Sequence, residues 1–221
     1  MITATFRNEY EGEFVITETR WAGGKKEQIR EWVANPIINQ HISGRAACIA
    51  SNINQDSFDH TRLQRHKGGL LSSKKLQTYG VGDLTKEMRL DFTVETNKNK
   101  LEDIIKTGYQ VNNIVYTTSR QCVEHPGEFY LVPYSPGLCS EALLCYLAAF
   151  DGHKEIFMLG YNTETPVNTS DWIDQVAKVI KAYKGISFTA VGIETQMPVQ
   201  WMSLSNFQVM GYRSFVSYCD I

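Results

Sequence analysis

Hydrophobic positions along the chain recur with two different spacings, and the two alternate. Short continuous apolar runs are typical of parallel strands covered on both faces, whereas apolar residues three and four positions apart indicate helices. The runs predict strands at residues 46–50, 76–79, 90–94, 111–116, 129–132, 156–159 and 187–191. The helical spacing predicts helices at residues 98–107, 139–150 and 170–183. This order predicts an α/β fold in three layers, with a mainly parallel sheet and helices on both of its faces.

The two ends of the chain follow other patterns. Residues 2–7 and 14–21 alternate across a polar turn, which predicts an N-terminal β-hairpin. Ile29, Trp32 and Val33 recur at helical spacing and predict a helix over residues 25–34. We expect residues 1–40 to form an accessory element of a single domain that spans residues 1–221. The apolar tail, residues 197–221, is expected to return as a final strand or to cover an edge of the sheet.

Charge and composition narrow the range of partners. The formal charge of -2 gives the chain no electrostatic attraction to duplex DNA or to an anionic membrane. No apolar run approaches the roughly 20 residues that span a bilayer, so we expect a cytoplasmic protein without membrane partners. The 5 cysteines include no C-x-x-C pair, and no Asp-x-Asp pair is present, so neither a metal nor another cofactor is expected. Homo-oligomerisation is left open.

A basic segment between Asp59 and Gly69 is the first candidate for chemistry. Arg62, Arg65 and Lys67 precede a Gly-Gly pair, and guanidinium forks with exposed amides suit a diphosphate. The histidines at positions 60 and 66 could act as acid or base near neutral pH. The alternative is a solvated helix face followed by a turn.

Three further features allow a functional and a structural interpretation. Gly80 and Gly82 begin a dinucleotide-binding pattern, as in an oxidoreductase, but they equally suit a tight turn. Tyr161 and Asn162 follow a predicted strand at the end where open parallel sheets bind ligands, or they form an exit turn. Cys139 precedes a predicted helix, whose amides could activate a thiol, although a small buried residue is the simpler interpretation.

Four sequence blocks resemble the Rossmann-like glycosyltransferase group that includes bacterial motility accessory factors and sialyltransferase-like proteins. This group has short relatives in phages and marine bacteria. The blocks lie between residues 45 and 162 and read RAACIASN, HKGGLLSSKKLQTYGVGDL, LDFTVETN and PGLCSEALLCYLAAFDGHKEIFMLGYN. The resemblance implies a cleft that binds a nucleotide or sugar nucleotide. It implies the lining residues Ser51, Asn52, Tyr79, Gly80, Gly82, Asn97, Ser140, Tyr161 and Asn162.

The same resemblance implies roles for charged residues. Arg62, Arg65 or Lys67 would bind phosphate, and His66 or Glu141 would act as the catalytic acid or base. The chain departs from the group at three positions. Asn97 and Asn162 stand where the group favours aspartate, and Gly82 stands where it favours asparagine. An amide binds a sugar hydroxyl but cannot act as a general base.

Two functions therefore remain from the sequence. One is a metal-independent transferase that uses a sugar nucleotide as its substrate. The other is a non-catalytic binding or structural protein on the same fold, of a phage type, because a fold does not by itself imply an activity.

Overall fold

The fold is described from a computed structural model. It describes residues 2–8, 13–34, 44–50, 58–65, 76–132, 137–162 and 169–221. The strands are β1 Ile2–Asn8, β2 Glu13–Ala22, β3 Lys25–Ala34, β4 Arg45–Ile49, β5 Gln77–Val81, β6 Phe92–Val94, β7 Ile114–Thr117, β8 Tyr130–Leu131, β9 Glu155–Leu159, β10 Ser187–Val191 and β11 Phe207–Met210. The helices are α1 Lys98–Thr107, α2 Ser119–Glu124, α3 Ser140–Phe150, α4 Thr169–Ala182, α5 Val199–Met202 and α6 Tyr212–Cys219.

Eight strands form one sheet in the order β11-β10-β9-β4-β5-β6-β7-β8. Every neighbouring pair in it is parallel. The chain therefore starts in the middle of the sheet, adds β5 to β8 on one side of β4, and then returns to add β9 to β11 on the other. The predicted α/β, Rossmann-like architecture is confirmed.

Helices cover both faces of this sheet. Cys48 of β4 lies against Cys145 of α3, and it pairs in register with Met158 of β9. Phe157, the neighbour of Met158, points to the other face, where its ring lies 5.1 Å from that of Phe215 in α6. The sheet therefore lies between α3 and α6, and a continuous apolar core fills both interfaces.

The three N-terminal strands form a separate antiparallel sheet in the order β1-β2-β3. The hairpin of β1 and β2 was predicted, but the helix predicted over residues 25–34 is wrong, since Lys25–Ala34 is strand β3. Gly23 and Gly24 have φ angles of 56° and 77°, which form a two-residue hairpin turn between β2 and β3. This turn folds the chain back onto β2, and the pairing overrides the helical spacing of the apolar residues.

The apolar tail completes the large sheet, as predicted. Strand β11 forms one edge, beside β10. Trp201 of α5 is fully buried, and its Nε1 donates to the carbonyl oxygen of Ile173 in α4 at 3.0 Å. The tail is thus part of the core.

A group of three side chains joins the amino ends of β4 and β9 to α6. Arg45 Nε donates to Glu155 Oε2 at 2.5 Å, and Tyr218 Oη donates to Glu155 Oε1 at 2.6 Å. The Arg45 guanidinium also lies 4.5 Å from the centre of the Tyr218 ring. The carboxyl-terminal end of α6 therefore lies at the amino ends of the strands.

No helix among the described residues is long and apolar enough to cross a membrane.

Candidate functional site

The strand order reverses between β4 and β9, and this reversal locates the candidate site. At such a point the connections leave neighbouring strands in opposite directions, which opens a crevice outside their carboxyl ends. We call the carboxyl ends of the strands from β4 to β9, with the loops and helix starts that follow them, the carboxyl edge. The Ala50 amide, just past β4, donates to the Leu159 carbonyl oxygen of β9 at 2.9 Å, so these two strands stay paired up to the crevice.

Tyr161 lies directly below the crevice. Gly160, with a φ angle of 80°, turns the chain at the end of β9, and the Tyr161 ring then enters the core, where it is 2% exposed. Its Oη donates to the carbonyl oxygen of Glu141 at 2.9 Å, and its ring lies 6.4 Å from those of Trp172 and Trp201. Tyr161 therefore forms the floor of the crevice, while Asn162 follows it half-buried.

Helix α3 begins at the carboxyl edge. Its first residues, Ser140 and Glu141, are half-buried, and the amide of the preceding Cys139 is bound by Gln175 Oε1 at 2.6 Å. A helix start directs amides and partial positive charge outwards, which favours an anion. Burial raises the pKa of the Cys139 thiol to about 12, so this group is a neutral thiol near neutral pH and is not activated as a nucleophile.

Gly82 and Glu95 lie side by side just past β5 and β6. A Cβ on Gly82 would overlap with Glu95 Oε2, so only glycine leaves room for the carboxylate. Glu95 is 3% exposed, and its Oε1 accepts a hydrogen bond from the Asn97 amide at 2.8 Å. Burial raises the pKa of Glu95 above its ordinary value, and the nearby amides oppose this effect only in part.

An ion pair borders this carboxylate. Lys100 Nζ lies 2.6 Å from Asp83 Oδ2, and that hydrogen bond is the main cause of the raised pKa of Lys100. The charges of Glu95 and Glu141 raise it further. Both groups thus lie near Lys100, and the start of α3 and the start of α1 share one charged neighbourhood.

Asn97 has a structural role at the same edge. Its Oδ1 accepts hydrogen bonds from the amides of Asn99 at 2.9 Å and Lys100 at 3.4 Å, which caps α1. The side-chain oxygen of Asn97 therefore caps the helix. Of the polar atoms of this side chain, only Nδ2 is left to contact a ligand.

Arg62 lies at the opposite end of the sheet. Its Nη2 donates to the carbonyl oxygen of Ile221 at 3.0 Å, and Ile221 follows the end of α6 at the amino ends of the strands. The predicted phosphate contact by Arg62 is inconsistent with this position. His60, in the same short helix, His60–Arg65, is 2% exposed, and its Nε2 lies 3.2 Å from Glu87 Oε2.

Tyr79 and Gly80 lie inside β5 and not at its end. Tyr79 is 1% exposed; its Oη donates to Asp151 Oδ2 at 2.7 Å and lies 2.9 Å from His153 Nε2. A Cβ on Gly80 would come within 2.7 Å of the Leu90 side chain, so this glycine permits core packing. Neither residue lines the crevice in the way the resemblance implied.

Four predicted residues, Ser51, Asn52, His66 and Lys67, lie outside the described residues. The backbone of Arg65 ends the His60–Arg65 helix. Among the predicted positions, the structure thus brings Gly82, Asn97, Ser140, Glu141 and Asn162 to the carboxyl edge, with Tyr161 beneath them.

A cavity of about 140 Å³ opens beside Gly82, between the short helix Gly82–Lys86 and α1. Its lining combines polar side chains, among them Asp83, Thr85 and Lys100, with the apolar surface of Ile104 and Tyr109. The volume is close to that of a cavity that holds benzene, so it admits one ring or one phosphate and not a whole nucleotide. Within the described ranges, no group of three or more His, Cys, Asp or Glu side chains could hold a metal ion.

No family model, curated protein or solved structure matches the chain. The function of the carboxyl edge must therefore be inferred from its own geometry.

Sequence reasoning missed Glu95, Asp83, Lys100 and Thr117. A signal was present for two of them, because Glu95 and Thr117 directly end buried apolar runs. In a parallel sheet that is covered on both sides, a polar residue at the last position of a strand lies at the carboxyl edge. The Asp83–Lys100 pair, in contrast, joins two elements and leaves no local sequence pattern.

Proposed function

We propose that the protein binds a nucleotide or a sugar nucleotide at the carboxyl edge and transfers a glycosyl group from it. The observation that carries this proposal is the reversal of strand order between β4 and β9 in an eight-stranded parallel sheet. Ligands of open α/β sheets bind at this position, because helix starts and strand ends meet there. The resemblance of the four sequence blocks to the glycosyltransferase group supports the same class of ligand.

The charges near the crevice are suited to such a ligand. The start of α3 offers amides to a phosphate group, which needs positive potential and several donors. Asp83, Glu95 and Glu141 offer acceptors to sugar hydroxyls. Arg62 contributes nothing here, since it lies at the other end of the sheet.

Glu141 is the candidate base for the transfer step. Its backbone is held by the Tyr161 hydroxyl, and its side chain is half-buried at the crevice. During transfer, the bond between the anomeric carbon and the phosphate oxygen breaks, and the nucleotide leaves with the bonding electron pair. The acceptor oxygen forms a new bond to that carbon, while its proton passes to the Glu141 carboxylate.

One observation favours the second function, a non-catalytic protein on this fold. The Tyr161 ring fills the space directly below β9, packed against Trp172 and Trp201. A filled floor makes the crevice shallower, which suits a protein partner or a bound ligand that does not react. The two functions differ in whether a sugar nucleotide is consumed.

A thermal-shift screen tests the proposal. The ligands are nucleoside mono- and diphosphates, UDP- and CMP-linked sugars and NAD(P), each with and without Mg²⁺. A ligand at about 100 times its dissociation constant adds roughly 2.7 kcal/mol to the free energy of unfolding. For a chain of this size, that energy raises the unfolding midpoint by roughly 5 to 10 °C. A flat screen on folded protein contradicts the proposal.

Two variants separate binding from chemistry. Glu141→Gln should keep the thermal shift but abolish hydrolysis of the bound sugar nucleotide, because an amide cannot accept the proton. Arg62→Ala serves as the control and should change neither property. Unchanged hydrolysis in Glu141→Gln excludes Glu141 as the base, whereas a shift without hydrolysis in the unmodified protein supports the non-catalytic function.

A further inference from the structure

One row of residues crosses the sheet at the carboxyl ends of β5, β6 and β7. Val81, Val94 and Tyr116 are paired in register. The next residues along each strand are Gly82, Glu95 and Thr117. The Glu95 amide donates to the Tyr116 carbonyl oxygen at 3.0 Å, and the Val132 amide donates to the Thr117 carbonyl oxygen at 2.9 Å, so the ladder continues through this row. Because side chains alternate along a strand, Glu95 and Thr117 point to the same face of the sheet.

Thr117 is unusual within this row. Its side chain is fully buried, and within the part of the chain that the structure describes its Oγ1 has no hydrogen-bond partner. A buried hydroxyl without a partner destabilises a protein, so such groups are rare and call for an explanation. A ligand that supplies the missing hydrogen-bond partner would explain why a threonine occupies this position.

The burial of the Glu95 carboxylate also lowers the stability of the fold. The carboxylate is 3% exposed and interacts with the backbone amides of Thr96 and Asn97, the latter donating to Oε1. Oε2 lies against Gly82. No side-chain cation of the described residues forms an ion pair with the carboxylate, since Lys100 pairs with Asp83. A buried carboxylate without a cation partner lowers the free energy of unfolding, and a glutamine of the same shape avoids this cost because it carries no charge. Gly82, which carries no side chain, separates Oε2 from the cavity beside α1.

We propose that the row of Gly82, Glu95 and Thr117, together with the adjoining cavity, binds the sugar of the ligand. Glu95 accepts hydrogen bonds from hydroxyl groups of the sugar, and the Thr117 hydroxyl donates to them or accepts from them. This inference rests on the proposed function. The cavity of about 140 Å³ accepts one sugar ring. Strands β5 and β6 lie one and two places from β4, at roughly 5 and 10 Å. A nucleotide at the crevice can therefore extend its sugar to this row.

Carboxylate and hydroxyl groups are a suitable pair for a sugar. An ionised carboxylate accepts from two hydroxyls, and a threonine hydroxyl both donates and accepts. Asp83 and Lys100 line the same cavity and offer a further acceptor and donor. A phosphate, by contrast, would be repelled by the Glu95 carboxylate, so this end of the site favours the uncharged part of the ligand.

The test compares sugar nucleotides with the nucleotides they contain. Isothermal titration measures the affinity of the full chain for UDP, UDP-glucose, GDP and GDP-mannose, whose sugars are uncharged. The variants Glu95→Gln and Thr117→Val preserve shape and remove the charge or the hydroxyl. Each should weaken binding of the sugar nucleotide by about tenfold, the effect of one lost hydrogen bond to a polar or charged group, and leave the parent nucleotide unchanged.

Thermal unfolding of the ligand-free variants gives a second, independent measurement. Both variants should unfold at a higher temperature than the unmodified protein at neutral pH, because each removes a buried group whose polar demand is unmet. Glu102→Gln, on the exposed face of α1 and outside the lining of the cavity, should change neither stability nor binding. Thr78→Val should lower stability without affecting binding, because the buried Thr78 hydroxyl is hydrogen-bonded to Asp91 and does not line the cavity.

Each result has a defined meaning. Stabilised variants with a specific loss of sugar-nucleotide affinity support the inference. Equal affinities of the variants and the unmodified protein overturn it but keep the proposed function, and so does a sugar nucleotide that binds no more tightly than its nucleotide. Lower stability of both variants shows a structural role and also overturns it. If none of the four ligands binds the unmodified protein, the proposed function fails, and this inference fails with it.

Discussion

At the scale of single residues, the buried polar groups belong to two classes with opposite effects on stability. Tyr79, Asp151 and His153 form a connected hydrogen-bonded group in the core, toward the amino end of β9. At the other end of the sheet, the Thr117 hydroxyl is buried without a hydrogen-bond partner among the described residues, and the buried Glu95 carboxylate interacts with backbone amides but with no side-chain network. Connected groups stabilise a fold, whereas unconnected ones cost stability and are retained where they have a function.

Tyr79→Phe tests the first class. The substitution keeps the ring, which stacks 4.6 Å from Phe92, but leaves Asp151 and His153 without the tyrosine hydroxyl. The free energy of unfolding should fall by about 1 to 3 kcal/mol, measured by urea denaturation. Tyr130→Phe is the matched control, because that ring is 40% exposed, and it should change stability by less than about 0.5 kcal/mol. Equal effects of the two substitutions would show that the buried group contributes no more than an exposed hydroxyl.

The sequence predicted some of these residues and not others, for a physical reason. Tyr161 was predicted at the carboxyl edge because it follows a strand that the apolar pattern determines, whereas the resemblance to the glycosyltransferase group implied Ser140 and Glu141. Arg62 was placed there as well, but it lies in the connection between β4 and β5, which runs from one end of the sheet to the other. Local spacing does not show how far along such a connection a residue lies, so its end of the sheet could not be predicted.

At the scale of elements, the central strands and long helices were predictable and the N-terminal ribbon only in part. Lys98–Thr107 and Ser187–Val191 match their predicted bounds, because buried strands and amphipathic helices carry strong periodic signals. Strand β3 was misassigned because Ile29, Trp32 and Val33 also fit helical spacing. The decisive signal was the Gly23-Gly24 turn, whose two positive φ angles suit a tight hairpin.

The group that joins α6 to β4 and β9 makes a prediction about pH. Burial opposes ionisation of Glu155, but hydrogen bonds from Tyr218 and Arg45 outweigh it, so the pKa of Glu155 lies below its ordinary value. The folded state therefore favours the carboxylate. This stabilisation is present at neutral pH and is lost as the pH falls from the ordinary value of 4.5 through the folded pKa.

Glu155→Gln should lower the free energy of unfolding at neutral pH by no more than about 1 kcal/mol, because the pair is partly exposed. The difference from the unmodified protein should shrink as the pH falls below 4.5 and disappear below the folded pKa of Glu155, where both chains are uncharged at this position. Urea midpoints across this range measure it. Glu27→Gln, in the exposed pair with Arg20, is the control and should have no effect at either pH. A difference that persists in acid would exclude charge as the cause.

At the scale of the whole molecule, two sheets differ in how they are stabilised. The large sheet has a core on both faces that includes α3, α6 and the tail. The small sheet exposes Trp21 by 71% and Ile29 by 50% near the end of its hairpin, and β1 approaches α2. That residues 1–40 form an accessory element of a single domain stays a prediction.

Deletion of residues 1–43 tests this arrangement. The shortened chain should unfold cooperatively, with a midpoint within about 5 °C of the full chain, because the large sheet and its core are unchanged. Circular dichroism during heating measures the transition. Deletion of residues 205–221, which removes β11 and α6, should abolish it, since Phe215 is fully buried. Loss of cooperative unfolding in the first deletion would show that the small sheet belongs to the same folding unit.

The position of β4 also has a consequence for synthesis of the chain. Arg45 at the start of β4 meets its partner Glu155 in β9 only 110 residues later. At a typical rate of 5 to 20 residues per second, a ribosome needs roughly 5 to 20 s to complete that interval. During this time one side of an apolar strand is open to pairing with other nascent chains. Slow-translating codons or chaperones that act between these two strands should therefore determine how much of the protein reaches the native state.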